Sequence, residues 1–596
     1  MAFHQSGLDA LREVTARAPD HAAAWRKLAE LLRYSGKDAE AEVALATADS
    51  TGDDEVKWPK AAGERSPTKI VKAERRLAEM LARVAPEQRI TVLRNRLFRD
   101  PTDVVSMRHL ALHEWRDDDV VTAQSLLERV LDLSPGYTAA RSDLVHLLHE
   151  RRAFTQVADE ARRLLMQAPR DLDLRGILAF ALAQLGEFAE AIDLLAGMVK
   201  EKPDSPGYWT SYGNNLHFVA RREATASAYR TALSLAPTHG EAYWGLAVMK
   251  GKYLSAADVP AMRAQLANDK LDLTSRWHMA YALGHALERA RDFAGSFEAL
   301  AMGARAFHQV YAGTRHAYEP EVAAERVRRL RKVFSAENLV ARAVPAAGPP
   351  PRDTPIMVVG MPRTGSTLLE QILASHSMVE GTRELSLMGD ITRELTYSRR
   401  LVTNNAYPEC VLDMTAQELA KLGARYISNS HAFRHTGRPY FVDKRLWNWL
   451  DVGLIHLIMP HAKIIDIRRE PMAACFAMFK QLLPLDAAFT YDLKELGRYY
   501  NRYVGLMQHY ESVLPGRVHF LSYESLVNDT ETEIRRLLDY CGLPFEEGCL
   551  RFWETDRAVV TPSAEQVRSP IFRDALEQWR NYEPWLGPLK ESLQAS

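Results

Sequence analysis

Cysteine is scarce. Only Cys410, Cys475, Cys541 and Cys549 occur in 596 residues, with no C-x-x-C pair and no partner at metal-ligand spacing. That argues against a disulfide framework and a zinc cluster, and it fits a reducing, cytoplasmic setting. Long apolar runs are missing too. The longest, near Val452–Met459, is far too short to cross a bilayer, so no membrane span is expected. The first residues, Met1-Ala-Phe-His-Gln-Ser-Gly-Leu-Asp9, lack the basic segment and apolar core of a secretory signal. Charge of one sign is lacking as well. The formal net charge is −1, which gives no chain-level field for a polyanion, and no nucleic-acid partner is expected. What remains, 47% hydrophobic and 26% charged residues, is an ordinary globular composition in a chain long enough for more than one domain.

The first half reads as helix throughout, and it repeats. Pro101, Pro135, Pro169, Pro203 and Pro237 stand 34 residues apart. Trp209, Tyr212, Gly213 and Leu216 follow Pro203 at the offsets of a first helix. Tyr243, Leu246 and Ala247 follow Pro237 in the same way, and Leu178, Ala179 and Leu182 follow Pro169, with Gly186 in the intra-repeat turn. Small residues such as Ala123 and Ala191 fall where the two helices of a repeat approach closely. A fixed period of this length predicts an all-α helix–turn–helix solenoid. Such arrays bind extended partners, the plainer alternative being a scaffold. An irregular earlier copy is read from Trp25, Leu28, Ala29 and Ala41, and a last degenerate one from Trp277 to His308. The basic helix from Val322 to Phe334 (Arg326, Arg328, Arg329, Arg331, Lys332) reads as a solvated face beside the next domain. The solenoid domain is assigned to residues 1–340.

Residues 341–354 are a proline-, alanine- and glycine-rich linker. From 355 to 596 the pattern turns to alternating strands and helices. Strands are expected at Ile356–Val359, Tyr440–Val442, Lys463–Ile467 and Arg517–Leu521. The intervening helices predict an α/β domain with a parallel sheet. After the first strand comes Gly360-Met-Pro-Arg-Thr-Gly365-Ser-Thr367, a phosphate-loop spacing of two glycines five apart leading into a helix. It too lacks something. Ser366 stands where an ATP-binding loop has its lysine, so a nucleotide with a different reactive end is implied. Three strand ends carry cations: Arg363, then Lys444-Arg445, then Arg468-Arg469. In an open α/β sheet those ends converge on one crevice, suited to a multiply charged nucleotide.

Pro362-Arg-Thr-Gly-Ser-Thr367, Val379-Glu-Gly-Thr-Arg-Glu-Leu385, Asp443-Lys444, Arg469-x-Pro471 and Tyr523-Glu524 together resemble the PAPS-dependent sulfotransferases (PAPS, 3′-phosphoadenosine 5′-phosphosulfate). The nearest branch is similar to tyrosylprotein sulfotransferases fused to tetratricopeptide repeats. The resemblance implies that Arg363, Thr364, Gly365, Ser366 and Thr367 hold the 5′-phosphosulfate, with no magnesium or other metal required. It implies that Arg469 binds the 3′-phosphate, that Tyr523 lies at the nucleotide, and that Arg568 in a closing loop contacts a phosphate. Glu384 is implied as catalytic base, Lys444 as the cation on the leaving oxygen, and Arg363 as reaching the sulfuryl group. The acceptor is implied to be a hydroxyl, a tyrosine of a peptide or protein bound by the repeats. A carbohydrate or small-molecule acceptor, or a nucleotide-binding adaptor without turnover, are the alternatives.

Departures from the family pattern bear on the adaptor alternative. Ala477, Ala564 (beside Ser563) and Gln578 stand where the family has serine, serine and lysine, and Arg445-Leu-Trp447 replaces a Met-Pro turn. Each hydrogen bond lost to a charged group costs about 1.5–3 kcal/mol, with Lys480 placed to compensate. Other features read as structural. Tyr491, Tyr499, Tyr500 and Tyr503 are assigned to helix packing, and His376 to packing after the loop helix. His431 and His435 are four apart but have no third ligand nearby. Ser366 has no base to make it a nucleophile.

Overall fold

The computed structural model describes residues 40, 42–44, 46–47, 67–117, 119–249, 253–314, 317–342, 351–403, 405–555, 566–571 and 576–595. The early repeat copy read from Trp25, Leu28, Ala29 and Ala41 lies outside them, as does most of the linker. The chain divides into two compact units, Met1–Leu144 and Val145–Ser596. In the first, helices Pro67–Leu81, Arg89–Arg99, Val104–Arg116 and Val120–Leu133 pack around a core that includes Leu77, Leu93, Ala123 and Leu127. Arg108 there bridges Glu74 at 2.8 Å and Asp143 at 2.5 Å.

The 34-residue period is the spacing of successive first helices, which begin at Val104, Thr138, Leu172, Pro206 and Gly240. Aspartate or serine N-caps open several of these helices, as Asp103, Asp171 and Ser205 do. The turns inside the repeats share a left-handed residue at the same period: Arg152 (φ 58°), Gly186 (φ 85°) and Ala220 (φ 58°). Only glycine takes that conformation without a steric cost, which is about 1–2 kcal/mol for other residues. Its retention at Arg152 and Ala220 indicates that the turn geometry outweighs the local penalty.

The second unit carries a five-stranded, wholly parallel sheet: β1 Thr354–Gly360, β2 Val379–Arg383, β3 Tyr440–Asp443, β4 Lys463–Arg468 and β5 Val518–Ser522. The spatial order is β2-β3-β1-β4-β5, so the phosphate-loop strand is central and buried along its whole length. Four strands coincide with the sequence expectation. β2 is the addition, an edge strand of Val-Glu-Gly-Thr-Arg too polar to show the usual pattern.

The last repeat helices do not stand apart from the sheet. Leu273–Arg289 and Phe293–Tyr311 pair with each other and share one apolar core with the sheet region. Phe307 stacks on Tyr491 with centroids 3.7 Å apart, and Trp277 meets the same ring edge-on at 5.8 Å. Tyr499 likewise stacks on Phe489 at 3.7 Å. The basic helix Pro320–Val333 is only partly a solvated face. Arg329 Nε donates to Glu409 Oε1 at 2.7 Å, across the linker, whereas Arg328 pairs locally with Glu325. A joint made of buried aromatics is rigid in the way a domain core is.

Candidate active site

β1 ends at Gly360, and the chain then curls through two left-handed residues, Arg363 (φ 66°) and Gly365 (φ 97°), into the helix Ser366–Ala374. Such dihedrals ahead of a helix N-terminus turn successive N–H groups into an anion-binding concavity. Thr364 is buried and its Oγ1 donates to Met361 O at 2.7 Å, so it braces the loop from behind. Arg363, Gly365, Ser366 and Thr367 line the cleft. Gly365 is required twice, for its φ and for space, since a Cβ there would lie 2.3 Å from the Tyr523 ring. Tyr523 starts the short helix after β5. Burial raises its phenol, with the neighbouring Arg469 charge acting against that.

Adjacent arginines at the end of β4 go opposite ways, as alternation along a strand requires. Arg468 pairs with the buried Asp466 at 2.6 Å. Arg469 turns to the loop: its Nη1 donates to Arg363 O at 3.3 Å, and its guanidinium lies 5.3 Å from the Tyr523 ring centre. The backbone that carries it is fixed by Tyr500 Oη donating to Arg469 O at 3.1 Å and by Glu470 N–H donating to Glu524 Oε1 at 3.0 Å. Glu470 then caps the helix Pro471–Phe479. Burial lowers both Arg363 and Arg469, and the like charge of Arg469 lowers Arg363 further. Two guanidiniums beside a concave loop offer an anion two positive charges and a fork of donors at each.

The second cluster is a carboxylate–ammonium pair. Lys444 Nζ lies 2.8 Å from Glu384 Oε1. Lys444 is 2% exposed and Glu384 is 55% exposed, so the lysine forms the floor and the carboxylate opens to the cleft. Depth in the cleft acts to raise the Glu384 carboxyl, but Lys444, then Arg445 and Arg152, outweigh it and hold the group below the usual carboxylate range. Arg152 belongs to a repeat, in the turn before the helix Phe154–Leu165.

Asp443 organises this pair and was given no role from the sequence. It is fully buried and accepts from Leu385 N–H (3.1 Å), Arg445 N–H (2.9 Å), Tyr426 Oη (2.7 Å) and Asn448 Nδ2 (3.1 Å). Burial still leaves its carboxyl above the usual range. The bonds flank Glu384 on one side and Lys444 on the other. Its position at a buried strand end was the available signal. Asp443→Ala leaves several buried donors unsatisfied, and a loss of about 3 kcal/mol or more is expected, read from the urea midpoint for unfolding of the unit that carries the sheet. An unchanged midpoint contradicts the account.

The cleft has a volume of 1130 Å³, and Arg363, Gly365, Ser366, Glu384, Lys444, Arg469 and Tyr523 all line it. That exceeds the roughly 300–1,000 Å³ of a site for one small ligand. Repeat residues line it too: Arg152–Gln156, Gln184, His285 and Glu288. Leu387, Phe433 and Trp447 add apolar surface to the lining. Ala477, Lys480 and Gln578 line it as well, but the Lys480 ammonium is paired with Glu288, so it does not stand free to replace a missing hydroxyl. Burial, with Lys480 nearby, holds His285 at about 4, so it is neutral, and its Nε2 lies 2.9 Å from Lys480 O. Arg568 is exposed, and the wall beside it is made by Val567 and Ser569. Ala564 and Ser563 lie outside the described residues. His431 pairs with Asp353 at 3.3 Å, and among the described residues no group of three metal-ligating side chains converges. No described helix is long and apolar enough to cross a membrane.

The sulfotransferase family model matches residues 355–547, and the tetratricopeptide repeat model matches residues 148–213. An uncharacterized protein of Aquifex aeolicus (strain VF5) is 32% identical over 327 residues, which are 54% of this chain and 42% of that protein. The chain thus matches less than half the length of that relative. Protein-tyrosine sulfotransferase 1 of Danio rerio is 24% identical over 254 residues, 38% of this chain and 66% of that protein. Among solved structures, the sulfotransferase domain of the olefin synthase from Synechococcus PCC 7002 is similar at 24% identity, covering 39% of this chain and 88% of that domain with a TM-score of 0.28.

Proposed function

We propose, for a chain that carries a sulfotransferase-family domain and tetratricopeptide repeats, transfer of a sulfuryl group from PAPS to the hydroxyl of a tyrosine in a peptide or protein. The observation that carries the reading is the Glu384–Lys444 pair, 2.8 Å apart, in the same cleft as the loop arginines.

The residues present fit PAPS. Arg363, Gly365, Ser366 and Thr367 would hold the 5′ end, with Thr364 bracing them, and Arg469 the 3′-phosphate. Tyr523 lies beside both arginines, and Arg568 is left as a contact of the closing segment. When bound, PAPS supplies the sulfuryl group and a phosphate leaving group. Glu384, ionised across the neutral range, takes the proton of the acceptor hydroxyl as that oxygen becomes nucleophilic. Lys444, buried at the base of the pair, would set its positive charge against the negative charge that grows on the leaving oxygen. Arg363 adds a second positive charge at the loop.

A peptide acceptor is favoured by the size of the cleft, by the apolar residues Leu387, Phe433 and Trp447 in its lining, and by the repeat residues that line it as well. The name of the Danio rerio relative points the same way. The assay is transfer of radiolabelled sulfate from PAPS to tyrosine peptides, with product identified by mass spectrometry. Label on tyrosine oxygen is expected. Label only on sugars or small phenols replaces the acceptor, and nucleotide binding without transfer to any hydroxyl leaves an adaptor.

A further inference from the structure

A helix ends with carbonyls that its own ladder cannot satisfy. The repeat helix Leu172–Leu185 closes with Gly186 in the left-handed conformation. Gly186 N–H then donates to Ala183 O at 3.1 Å, and Glu187 N–H to Leu182 O at 2.8 Å. Two carbonyls of the last turn remain, those of Gln184 and Leu185. One side chain of the sheet takes both. Arg383 Nη1 donates to Gln184 O, and Arg383 Nη2 donates to Leu185 O at 3.0 Å. A guanidinium in that place also meets the negative end of the helix dipole. The approach is close enough that a Cβ on residue 186 would lie 2.9 Å from Arg383 Nη2.

Arg383 is the last residue of β2, and Glu384 comes next. The pairing of β2 with β3 shifts register between Gly381 and Arg383. Irregularities of this kind re-aim side chains at strand ends. Here they separate two neighbours: Arg383 goes to the repeat helix and Glu384 to Lys444. The backbone between them is also tied to the sheet. Lys444 N–H donates to Arg383 O at 2.9 Å, and Leu385 N–H donates to Asp443 Oδ1 at 3.1 Å. Glu384 therefore hangs between one anchor on the sheet and one on the repeat array.

We propose that Arg383 is a positioning residue which, by capping the repeat helix, sets the Glu384 carboxylate against Lys444. The repeat array is then a built-in part of the acceptor site and not a tethered presenter. This rests on the reading of Glu384 as the base. The same edge of the array supports it: the preceding intra-repeat turn brings in Arg152, whose charge reaches Glu384.

Two variants attack the cap from opposite sides. Arg383→Ala removes the donor, and Gly186→Val fills its space from the repeat half, at a left-handed position that valine resists. Each is expected to lower kcat for sulfuryl transfer by about tenfold or more, with the acceptor KM and the Kd for 3′-phosphoadenosine 5′-phosphate within about twofold of wild type. The double variant is expected to be no worse than the poorer single one, because one cap is lost only once. Arg383→Lys, a point charge in place of a fork, recovers part of the activity. A merely structural role lowers the melting temperature and the fraction of chain that binds nucleotide, but leaves kcat per nucleotide-binding site unchanged; that result overturns the proposal. Hydrogen exchange gives an arm that needs no turnover. Gly186→Val is expected to speed exchange across 379–386 and leave 356–374 as it was. Unchanged exchange at 379–386 overturns the cap, whether or not the chain transfers sulfate. Faster exchange there in a chain that transfers nothing keeps the cap and overturns the reading of function.

Discussion

Glu384→Gln is expected to cut sulfuryl transfer by about 10²–10⁴-fold, the range for loss of a general base, while nucleotide affinity stays near that of wild type. The amide is nearly isosteric, and its oxygen still accepts from Lys444, so the floor of the cleft is kept. What is lost is a group that takes a proton. The pH dependence follows from the sign of the shift. Lys444, Arg445 and Arg152 together hold Glu384 below its ordinary value, against the effect of burial. A base of that kind stays ionised as pH falls through the ordinary carboxylate range near about 4.3. It loses activity only as pH drops through its own, lower pKa. The acid limb of kcat/KM, which reports the free enzyme, therefore lies below that range for wild type, and in Glu384→Gln the residual rate has no limb from this group. A pH profile of single-turnover transfer, measured on wild type and variant, checks both parts. Equal turnover by the two proteins removes Glu384 from the mechanism.

How much of this was legible depends on whether the partner of a residue leaves a mark in the sequence. The repeat period was plain because a helix–turn–helix unit must recur at fixed spacing to stack, and the first helices do begin every 34 residues. The phosphate loop was plain because its conformation needs glycine at Gly365 and its strand must be buried. β2 was not, because an edge strand ending in polar residues has no apolar alternation to read. The union of the last repeat helices with the sheet was hidden for a different reason. Trp277, Phe307 and Tyr491 each look like core residues, but periodicity does not say whose core they share. Arg383 was the least visible. Its partners are backbone carbonyls nearly 200 positions away, and a carbonyl has no residue identity to recognise. Lys480 shows the converse. It stood at a plausible place to replace a missing serine, and only the fold reveals Glu288 holding it.

That pairing sharpens the expectation for Arg469. With alanine at 477 and Lys480 engaged, Arg469 carries more of any 3′-phosphate interaction than a site with all its helpers would ask of it. Arg469→Ala is expected to weaken binding of 3′-phosphoadenosine 5′-phosphate by about 2–3 kcal/mol, roughly 30- to 150-fold. Adenosine 5′-phosphate, which lacks the second phosphate, is expected to bind wild type and variant about equally. The physical reason lies at Arg363. Its guanidinium stays charged with or without Arg469, since guanidinium does not lose its proton at working pH, so the 5′ end keeps its own cation. Discrimination between the two nucleotides, and not general affinity, is what collapses. Arg469→Lys keeps a charge but not the fork that pairs with phosphate, and it is expected to fall between the two. Calorimetry with both nucleotides separates the possibilities. Parallel weakening of the two makes Arg469 a general source of positive potential. Unchanged affinity for the bisphosphate moves the 3′-phosphate elsewhere in the cleft, and with it the argument that the two arginines are arranged for two separate phosphates.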